Sequence, residues 1–292
     1  MRIGERSAFA KLRGMEIQKK AGRGLCFIAA FAVAALFCLP FVYMLLCSFQ
    51  PESADIFRWP PKVIPERFRF RNYADAFKIM NFPRAFGNTI LLVVCVMTLN
   101  ISGSVLVAYG FARFEAKLKN KLFGLLLSTM MLPWVITMIP SFAIYRYIGW
   151  IGTRLPLIIP AVGGSAFNIF MVRQFMMGIP RDLDEAATID GCGSFGVLWR
   201  ILLPNMAPVL ATLVVFGFTN VWSDYVGPSI YLIDSELQTL SLSLYNFQDS
   251  SGVMEWNKVM AGCVMFSLPM VLVLFLAQNA FVRGIVASGL KE

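Results

Sequence analysis

Long uncharged stretches constrain this chain more than any other feature of its sequence. The run from Leu25 to Ser48 holds 24 residues without a charged side chain. As a helix it would be about 36 Å long, which spans a bilayer core with some tilt. A cleaved signal peptide has a shorter apolar core, so we interpret the run as a retained first span. A chain of 292 residues that is 58% hydrophobic and 15% charged is also too apolar for a soluble protein of this length.

Five further apolar segments follow at similar lengths. Backbone amides and carbonyls in lipid must bond to one another, and a helix satisfies that requirement within a single segment. We therefore predict an all-α polytopic membrane protein with six transmembrane helices. Prolines and glycines in the third and fourth spans predict kinks and close helix contacts there. The five later spans are Phe86 to Ala112, Leu122 to Tyr145, Leu155 to Met177, Met206 to Tyr225 and Val259 to Val282.

The charged residues between the spans set the predicted topology. Lys and Arg are more numerous on the side that carries both termini and the 180–204 segment, which favours a cytoplasmic location for that side. The formal charge of +9 agrees with such a topology, and no basic stripe points to nucleic acid. The predicted parts are a cytoplasmic segment 1–24, a first span 25–48, an extracytoplasmic loop 49–84, a core of five helices 85–282 and a cytoplasmic tail 283–292.

Enzymatic chemistry and metal binding have no support in the sequence. Histidine is absent, the six cysteines are scattered through mostly apolar runs, and no Gly-x-x-x-x-Gly-Lys-Ser/Thr phosphate loop occurs. We therefore expect no catalytic residue, no metal ligand and no cofactor bound by this chain. If ATP drives the protein, another subunit binds it.

A polar stretch from Pro180 to Pro204 interrupts the apolar runs. Asp182, followed three residues later by Glu185, predicts an N-cap with its capping-box partner. Gly191 predicts the left-handed stop of a short helix. The stretch therefore begins as a helix that ends in a glycine elbow.

A second helix is predicted after the elbow. Gly193 or Ser194 would cap it and Pro204 would end it. Its apolar residues recur at spacings of three and four, as in an amphipathic helix. These residues are Phe195, Leu198, Trp199 and Leu202.

The first helix of this stretch has a face suited to a partner. Leu183, Ala186, Ala187 and Asp190 share one face, and Glu185 projects from a neighbouring one. The small alanines would let another backbone approach closely. This arrangement favours docking into a cleft of a partner, and the alternative is an amphipathic hairpin that lies on the membrane surface or packs on its own chain.

The spans contain almost no charge. Carriers that are coupled to protons or ions usually place titratable residues in mid-membrane, and here Asp224 is the only candidate. It would be either a helix-end residue at the interface or part of a gate or path for a polar solute. Uncharged polar residues could line the same path or could simply join helices to each other. The candidate path residues are Asn168, Asn220, Trp222, Ser223 and Asp224.

The motifs of the chain resemble those of a known family. Glu-Ala-Ala at 185–187, Asp190-Gly191, and Leu203-Pro204 thirteen residues after that glycine resemble the cytoplasmic coupling loop of bacterial ABC importer permeases. Further stretches resemble the carbohydrate-uptake branch of these binding-protein-dependent inner membrane components, and in particular the smaller permease of maltose transporters. They are Pro60 to Pro65, Asn72-Tyr73, Asn88-Thr89, Ala108 to Arg113, Arg173 to Phe175, Ile179-Pro180, Trp222 to Tyr225 and Phe281 to Gly284.

The resemblance implies a type I ABC importer permease in the bacterial inner membrane. It implies a second, different permease, two ATPase subunits that bind ATP and Mg, and an extracytoplasmic solute-binding protein. Glu185 would pair with a basic group on the ATPase, Ala186 and Ala187 would permit close packing, and Asp190-Gly191 would form the elbow. The implied solute is a di- or oligosaccharide.

The sequence departs from the family pattern at three positions. Cys192 stands where Ala is common, Gly193 where Ser or Thr is common, and Ser223 replaces the usual Asn. Two other functions are also compatible with the sequence. One is a membrane sensor or scaffold that holds a cytoplasmic partner without transport, and the other is a self-sufficient carrier or channel.

Overall fold

The computed structural model describes residues 3–51, 64–65, 67–247 and 255–289, and this part of the chain is helical without a strand. The all-α prediction is therefore confirmed. Two short 3₁₀ segments, Ile159–Gly163 and Ser235–Leu237, connect helices. The helices are α1 Ile3–Ser48, α2 Arg71–Ile79, α3 Phe82–Arg113, α4 Lys119–Thr129, α5 Trp134–Tyr147, α6 Leu155–Ile158, α7 Ala166–Met177, α8 Asp182–Ile189, α9 Ser194–Asn205, α10 Ala207–Ser223, α11 Val226–Tyr231, α12 Leu240–Tyr245 and α13 Trp256–Gly289.

Within the described ranges, four segments are long and apolar enough to cross a membrane: Cys26–Ser48, Phe82–Arg113, Leu155–Met177 and Trp256–Gln278. Two helix pairs meet the same criteria together but are sharply bent, α4 with α5 by 94° and α9 with α10 by 78°. The number of spans reaches the predicted six when each bent pair counts as one.

One predicted span needs correction. The first helix begins at Ile3 and includes the basic segment before the apolar part Cys26–Ser48, whereas the predicted third span is not one continuous helix. The third span is two helices, with a break between Thr129 and Trp134. Pro133 stands at this break, where it disfavours helical backbone at the residue before it, so the expected kink is a full change of direction. Most of the Pro60 to Pro65 motif lies outside the described residues.

The chain divides into two compact units, of which the first comprises residues 1–73 and Trp256–Val264. Its described contacts lie where α1 ends. Asn72 donates from Nδ2 to the carbonyl oxygens of Ser48 and Gln50, both at 2.8 Å, and Asn257 donates to the Gln50 oxygen at 3.1 Å. The Phe49 ring packs against three aromatic rings within 5.6 Å.

The second unit comprises residues 74–255 and 265–292. Its core forms where α3 packs against α7, α9 and α10. Tyr109 near the C-terminal end of α3 and Leu202 of α9 belong to the same buried cluster, so the 180–204 stretch is anchored to the spans by apolar contact. The core residues are Val105, Ala108, Tyr109, Ala112, Ile169, Val172, Met176, Ala187, Val197, Leu198, Leu202, Met206, Val209 and Leu213.

Backbones approach most closely where α3 crosses the break in the fourth span. Gly164 adopts a φ of +73°, and a Cβ on Gly164 would overlap Ser104 of α3. A Cβ on Gly103 would overlap the carbonyl oxygen of Val162. The Ser165 amide donates to Ser104 Oγ at 3.3 Å. Small residues are therefore required on both sides of this crossing.

Polar side chains of α3 tie it to neighbouring segments. Asn88 donates from Nδ2 to the carbonyl oxygens of Glu236 and Gln238 at 2.8 and 2.9 Å, and its Oδ1 accepts from Arg154 at 2.6 Å. The Leu240 amide donates to Thr89 Oγ1 at 2.8 Å. These buried side chains therefore hold the connection between α11 and α12 in position.

We expect Gly103→Ala to destabilise the protein, because the added methyl group must displace backbone atoms that have little freedom to move. Overpacking of this kind costs roughly 1 to 3 kcal/mol of unfolding free energy. The measurement is the unfolding free energy of the full chain in mixed micelles. Gly110→Ala is the matched control, since Gly110 lies on the same helix with open space around it. Equal stability of the two variants would contradict the close crossing.

Candidate functional site

The exposed 180–204 stretch is the first candidate site, and its first helix is α8. The structure corrects the predicted cap: Asp182 is the first helical residue and Arg181 the N-cap, with no side-chain cap bond. The Arg181 carbonyl oxygen accepts from the amides of Asp184 at 2.8 Å and Glu185 at 3.1 Å. The three acids of the first turn still interact favourably with the positive end of the helix dipole.

The predicted glycine elbow is confirmed. Gly191 has a φ of +86°, and its amide donates to the Thr188 oxygen at 3.0 Å. The Cys192 amide donates to the Ala187 oxygen at 2.9 Å. These two bonds form a Schellman motif, which satisfies carbonyls that the end of the helix would otherwise leave without donors.

The second helix, α9, is less regular than predicted. Gly193 is its N-cap, and Val197–Leu202 forms a π-helical segment. Pro204 lies in the last turn, and the helix ends one residue later at Asn205. Pro204 has no amide hydrogen to donate to the carbonyl oxygen of Arg200, four residues earlier. The π-helical segment ends two residues before this proline.

One side of this stretch packs on its own chain. Ala187 is only 6% exposed and lies in the core with Val197, Leu198 and Leu202. The prediction that both alanines face a partner is therefore wrong for Ala187, because its side chain packs in the core of its own chain. Ala186 remains exposed.

The other side presents apolar side chains. Ile189 is 86% exposed, and Phe195 and Trp199 are exposed with their rings stacked 6.5 Å apart. We call the exposed side chains of Leu183, Glu185, Ala186, Ile189, Phe195 and Trp199 the outer face. Ile189 is not among the predicted docking residues. Its sequence signal is an apolar side chain inside a polar stretch, at a position that the buried stripe of the helix does not use.

The predicted elbow and end residues differ in exposure. Asp190 and Gly191 are exposed, Leu203 is half-buried and Pro204 is exposed.

The C-terminal end of α3 contacts the inner side of the 180–204 stretch through polar side chains. Arg113 Nε lies 2.6 Å from Asp184 Oδ2, and the two side chains are 8% and 19% exposed. Arg113 also donates from Nη2 to the Ile179 oxygen at 3.1 Å, and Tyr109 donates from Oη to the Ser194 oxygen at 2.8 Å. The sequence identifies Ala108 to Arg113 only as a family motif, and this anchoring role was not predicted.

A cavity of about 560 Å³ in the second unit is the second candidate site. Its volume lies within the range of small-molecule sites. Three predicted path residues, Asn220, Ser223 and Asp224, line it together with aromatic residues that were not predicted. The aromatic lining residues are Trp134, Tyr145 and Tyr231.

Two other predicted path residues do not line this cavity. Trp222 is fully buried among aromatic rings, and its Nε1 donates to the Phe266 oxygen at 3.1 Å. Asn168 donates from Nδ2 to Asn100 Oδ1 at 2.7 Å and so joins α7 to α3. Both residues are therefore engaged in joining helices.

Asp224 is held by the turn that follows α10. Its Oδ1 accepts from the amides of Val226 and Gly227, both at 3.1 Å, and its carbonyl oxygen accepts from Ser241 Oγ at 2.6 Å. These bonds fix the carboxylate at the cavity wall. Within the described part of the chain, no group of three or more Cys, Asp or Glu residues could hold a metal ion.

Broken spans, a cavity lined by apolar, aromatic and a few polar side chains, and an exposed helical loop are features expected of a multi-pass membrane transport component. Residues 101–287 match the family described as binding-protein-dependent transport system inner membrane component, and the chain belongs to this family. The family resemblance and the prediction that the chain is a transport component and not an enzyme are confirmed.

Known proteins resemble the chain over nearly its whole length. A probable ABC transporter permease protein of Bacillus subtilis, YurM, is 31% identical, with 86% of this chain and 83% of the relative covered. The arabinooligosaccharide transport permease AraQ of Halalkalibacterium halodurans is 29% identical, covering 92% and 94%. The lactose transport permease LacG of Rhizobium radiobacter is 31% identical, covering 87% and 92%.

A solved structure has the same fold. A chain of a bacterial ABC transporter that imports the acidic polysaccharide alginate superposes with a TM-score of 0.77 at 23% identity, covering 88% of this chain and 96% of that one.

We expect Asp184→Asn to loosen the 180–204 stretch, because it leaves the nearly buried Arg113 guanidinium without its counter-charge. Removing one partner of a buried pair costs roughly 3 kcal/mol of stability. Amide hydrogen exchange across 182–192 measures the effect.

Glu115→Gln is the control, because Glu115 lies 3.9 Å from Arg181 at an exposed site. Such exposed pairs contribute about 0.5 kcal/mol. The double variant Arg113→Gln/Asp184→Asn should recover part of the loss, and faster exchange in the control than in Asp184→Asn would contradict the anchoring role.

Proposed function

We propose that the chain is the permease subunit of an ATP-driven ABC importer for a di- or oligosaccharide. The observation that carries the proposal is the two-sided 180–204 stretch. Its inner side is fixed to the spans by Arg113, Tyr109 and the buried core, and its outer face is exposed and apolar with acidic groups around it.

The outer face fits an ATPase subunit with an apolar groove and a basic edge. Ile189, Phe195 and Trp199 would fill the groove, and Glu185 would pair with a cation of the ATPase. Burial of these exposed side chains supplies apolar contact area, and the acidic group supplies the orientation of the complex.

The attachment of the 180–204 stretch to α3 would couple ATP binding on the ATPase to movement of the spans. ATP binding that moves the outer face would also move the end of α3, because Arg113 and Tyr109 bond to the same stretch. Two sites are then coupled through one element whose position both ligands influence.

The lining of the cavity suits a sugar. Aromatic rings offer apolar surface to the C–H faces of a sugar ring, and Asn220, Ser223 and Asp224 offer hydrogen-bonding groups to its hydroxyls. The arabinooligosaccharide and lactose permeases among the relatives support this solute class.

The proposed assembly contains four membrane-associated chains and one soluble protein. This chain would pair with a different permease, and the pair would carry two ATPase subunits that bind ATP and Mg. An extracytoplasmic binding protein would deliver the sugar. Both termini and the 180–204 stretch would face the cytoplasm, where ATP is available.

We expect Glu185→Ala to insert normally and to recover less ATPase. The full chain would be purified in mild detergent from cells that express its native neighbours, and the co-purifying subunits would be counted by mass spectrometry. Loss of a desolvated charge pair costs roughly 2 to 5 kcal/mol of docking free energy. Glu115→Ala is the charge-matched control. Equal ATPase recovery with both variants would contradict the docking role of Glu185.

We expect Asn220→Leu to lower sugar uptake by roughly tenfold, because a buried hydroxyl of the solute would lose its partner. The measurement is uptake of labelled oligosaccharides into cells that carry the variant as their only copy. Thr219→Val is the control, since the Thr219 hydroxyl bonds to Val215 within its own helix at 2.9 Å. A scaffold would give no uptake with any variant, and uptake without the ATPase would indicate a self-sufficient carrier.

A further inference from the structure

A basic cleft of about 320 Å³ lies where α3 ends, α4 begins and α7 ends. Four cationic side chains line it, and no carboxylate does. Its backbone wall is the Gly178 to Pro180 segment. The cations, Arg113, Lys119, Arg173 and Arg181, are the residues that define the basic cleft.

Two of the four charges have a counter-charge and two do not. Arg113 is paired with Asp184 at 2.6 Å, and Arg181 is 3.9 Å from Glu115. No carboxylate in the described part of the chain forms an ion pair with Lys119 or Arg173. The cleft therefore carries excess positive charge.

The guanidinium of Arg173 is already held in position. Its Cζ lies 4.1 Å from the centre of the Phe123 ring, and its Nε donates to the Phe111 oxygen at 3.4 Å. Phe123 is itself buried. A planar cation fixed by stacking loses little entropy when its remaining donors bind a tetrahedral anion.

The position of the cleft along the spans indicates the source of the anion. Arg113 is the last residue of the span Phe82–Arg113, and Lys119 is the first of the bent pair α4 and α5. Arg173 lies in the final turns of the span Leu155–Met177. Span ends lie at the level of lipid headgroups, and basic pockets between spans recognise anionic headgroups there.

We propose that the basic cleft binds the phosphate group of an anionic phospholipid. Lys119 and Arg173 supply the unneutralised charge. Arg113 connects the cleft to Asp184 and to the Ile179 carbonyl, so a bound headgroup stabilises the base of the 180–204 stretch. Free phosphate shares this chemistry and is the other source that the experiment must distinguish. The proposal does not depend on the sugar or on the ATPase.

The test is native mass spectrometry of the full chain in detergent, titrated with phosphatidylglycerol or with phosphatidylcholine. We expect one phosphatidylglycerol to bind in preference to phosphatidylcholine, and Lys119→Gln/Arg173→Gln to weaken this binding by about tenfold or more, since two surface cations are lost. Lys117→Gln/Lys121→Gln removes the same charge from exposed positions outside the cleft and should retain the binding.

Two further variants separate binding from folding. Arg173→Lys keeps the charge and Lys119→Gln leaves the stacked guanidinium intact, so each should bind with an affinity between those of the wild type and the double variant. Equal loss in both double variants, or no preference for phosphatidylglycerol, overturns the proposal. Displacement of the lipid by millimolar inorganic phosphate, with phosphate protecting the lipid-free chain from thermal unfolding, assigns the cleft to a free anion and overturns the lipid assignment.

Discussion

The packing of α3 is the constraint on which the rest of the second unit depends. Near its start, Asn88 and Thr89 bond the connection between α11 and α12. Near its end, Tyr109 donates to the Ser194 oxygen and Arg113 forms an ion pair with Asp184, so both hold the 180–204 stretch. A single continuous helix of 32 residues therefore fixes segments at both of its ends. Since a helix resists change of length, these two regions keep their separation whenever α3 moves.

Local signals account for what could be predicted from the sequence. Uncharged runs specify spans because lipid requires internally bonded backbone, and Gly191 specifies the elbow because only a residue without Cβ adopts its φ at no cost. The predicted cap at Asp182 was wrong because the Arg181 carbonyl oxygen accepts the same first-turn amides. Backbone capping of this kind leaves no mark in the sequence, whereas side-chain capping does.

Residues that depend on distant contacts could not be predicted. Ala187 lies on the same predicted helix face as Ala186, and only the position of the core decides which of them is buried. Trp134 and Tyr231 meet in one cavity because α5 turns away from α4 by 94° and α11 follows a separate span. A proline marks the turn in the sequence, but its angle is set by packing.

The bent pair α9 and α10 connects the 180–204 stretch to the cavity, and this connection would let the two candidate sites influence each other. The first residues of α10 follow the 78° bend from α9, and its last turn carries Asn220 and Ser223 at the cavity. Met206 at that bend and Leu202 one turn before it are fully buried. A tightly packed bend transmits displacement, because the surrounding core has little free volume to absorb it. In the proposed importer, ligands at either site would therefore shift the same equilibrium in proportion to their differential affinity for its two states.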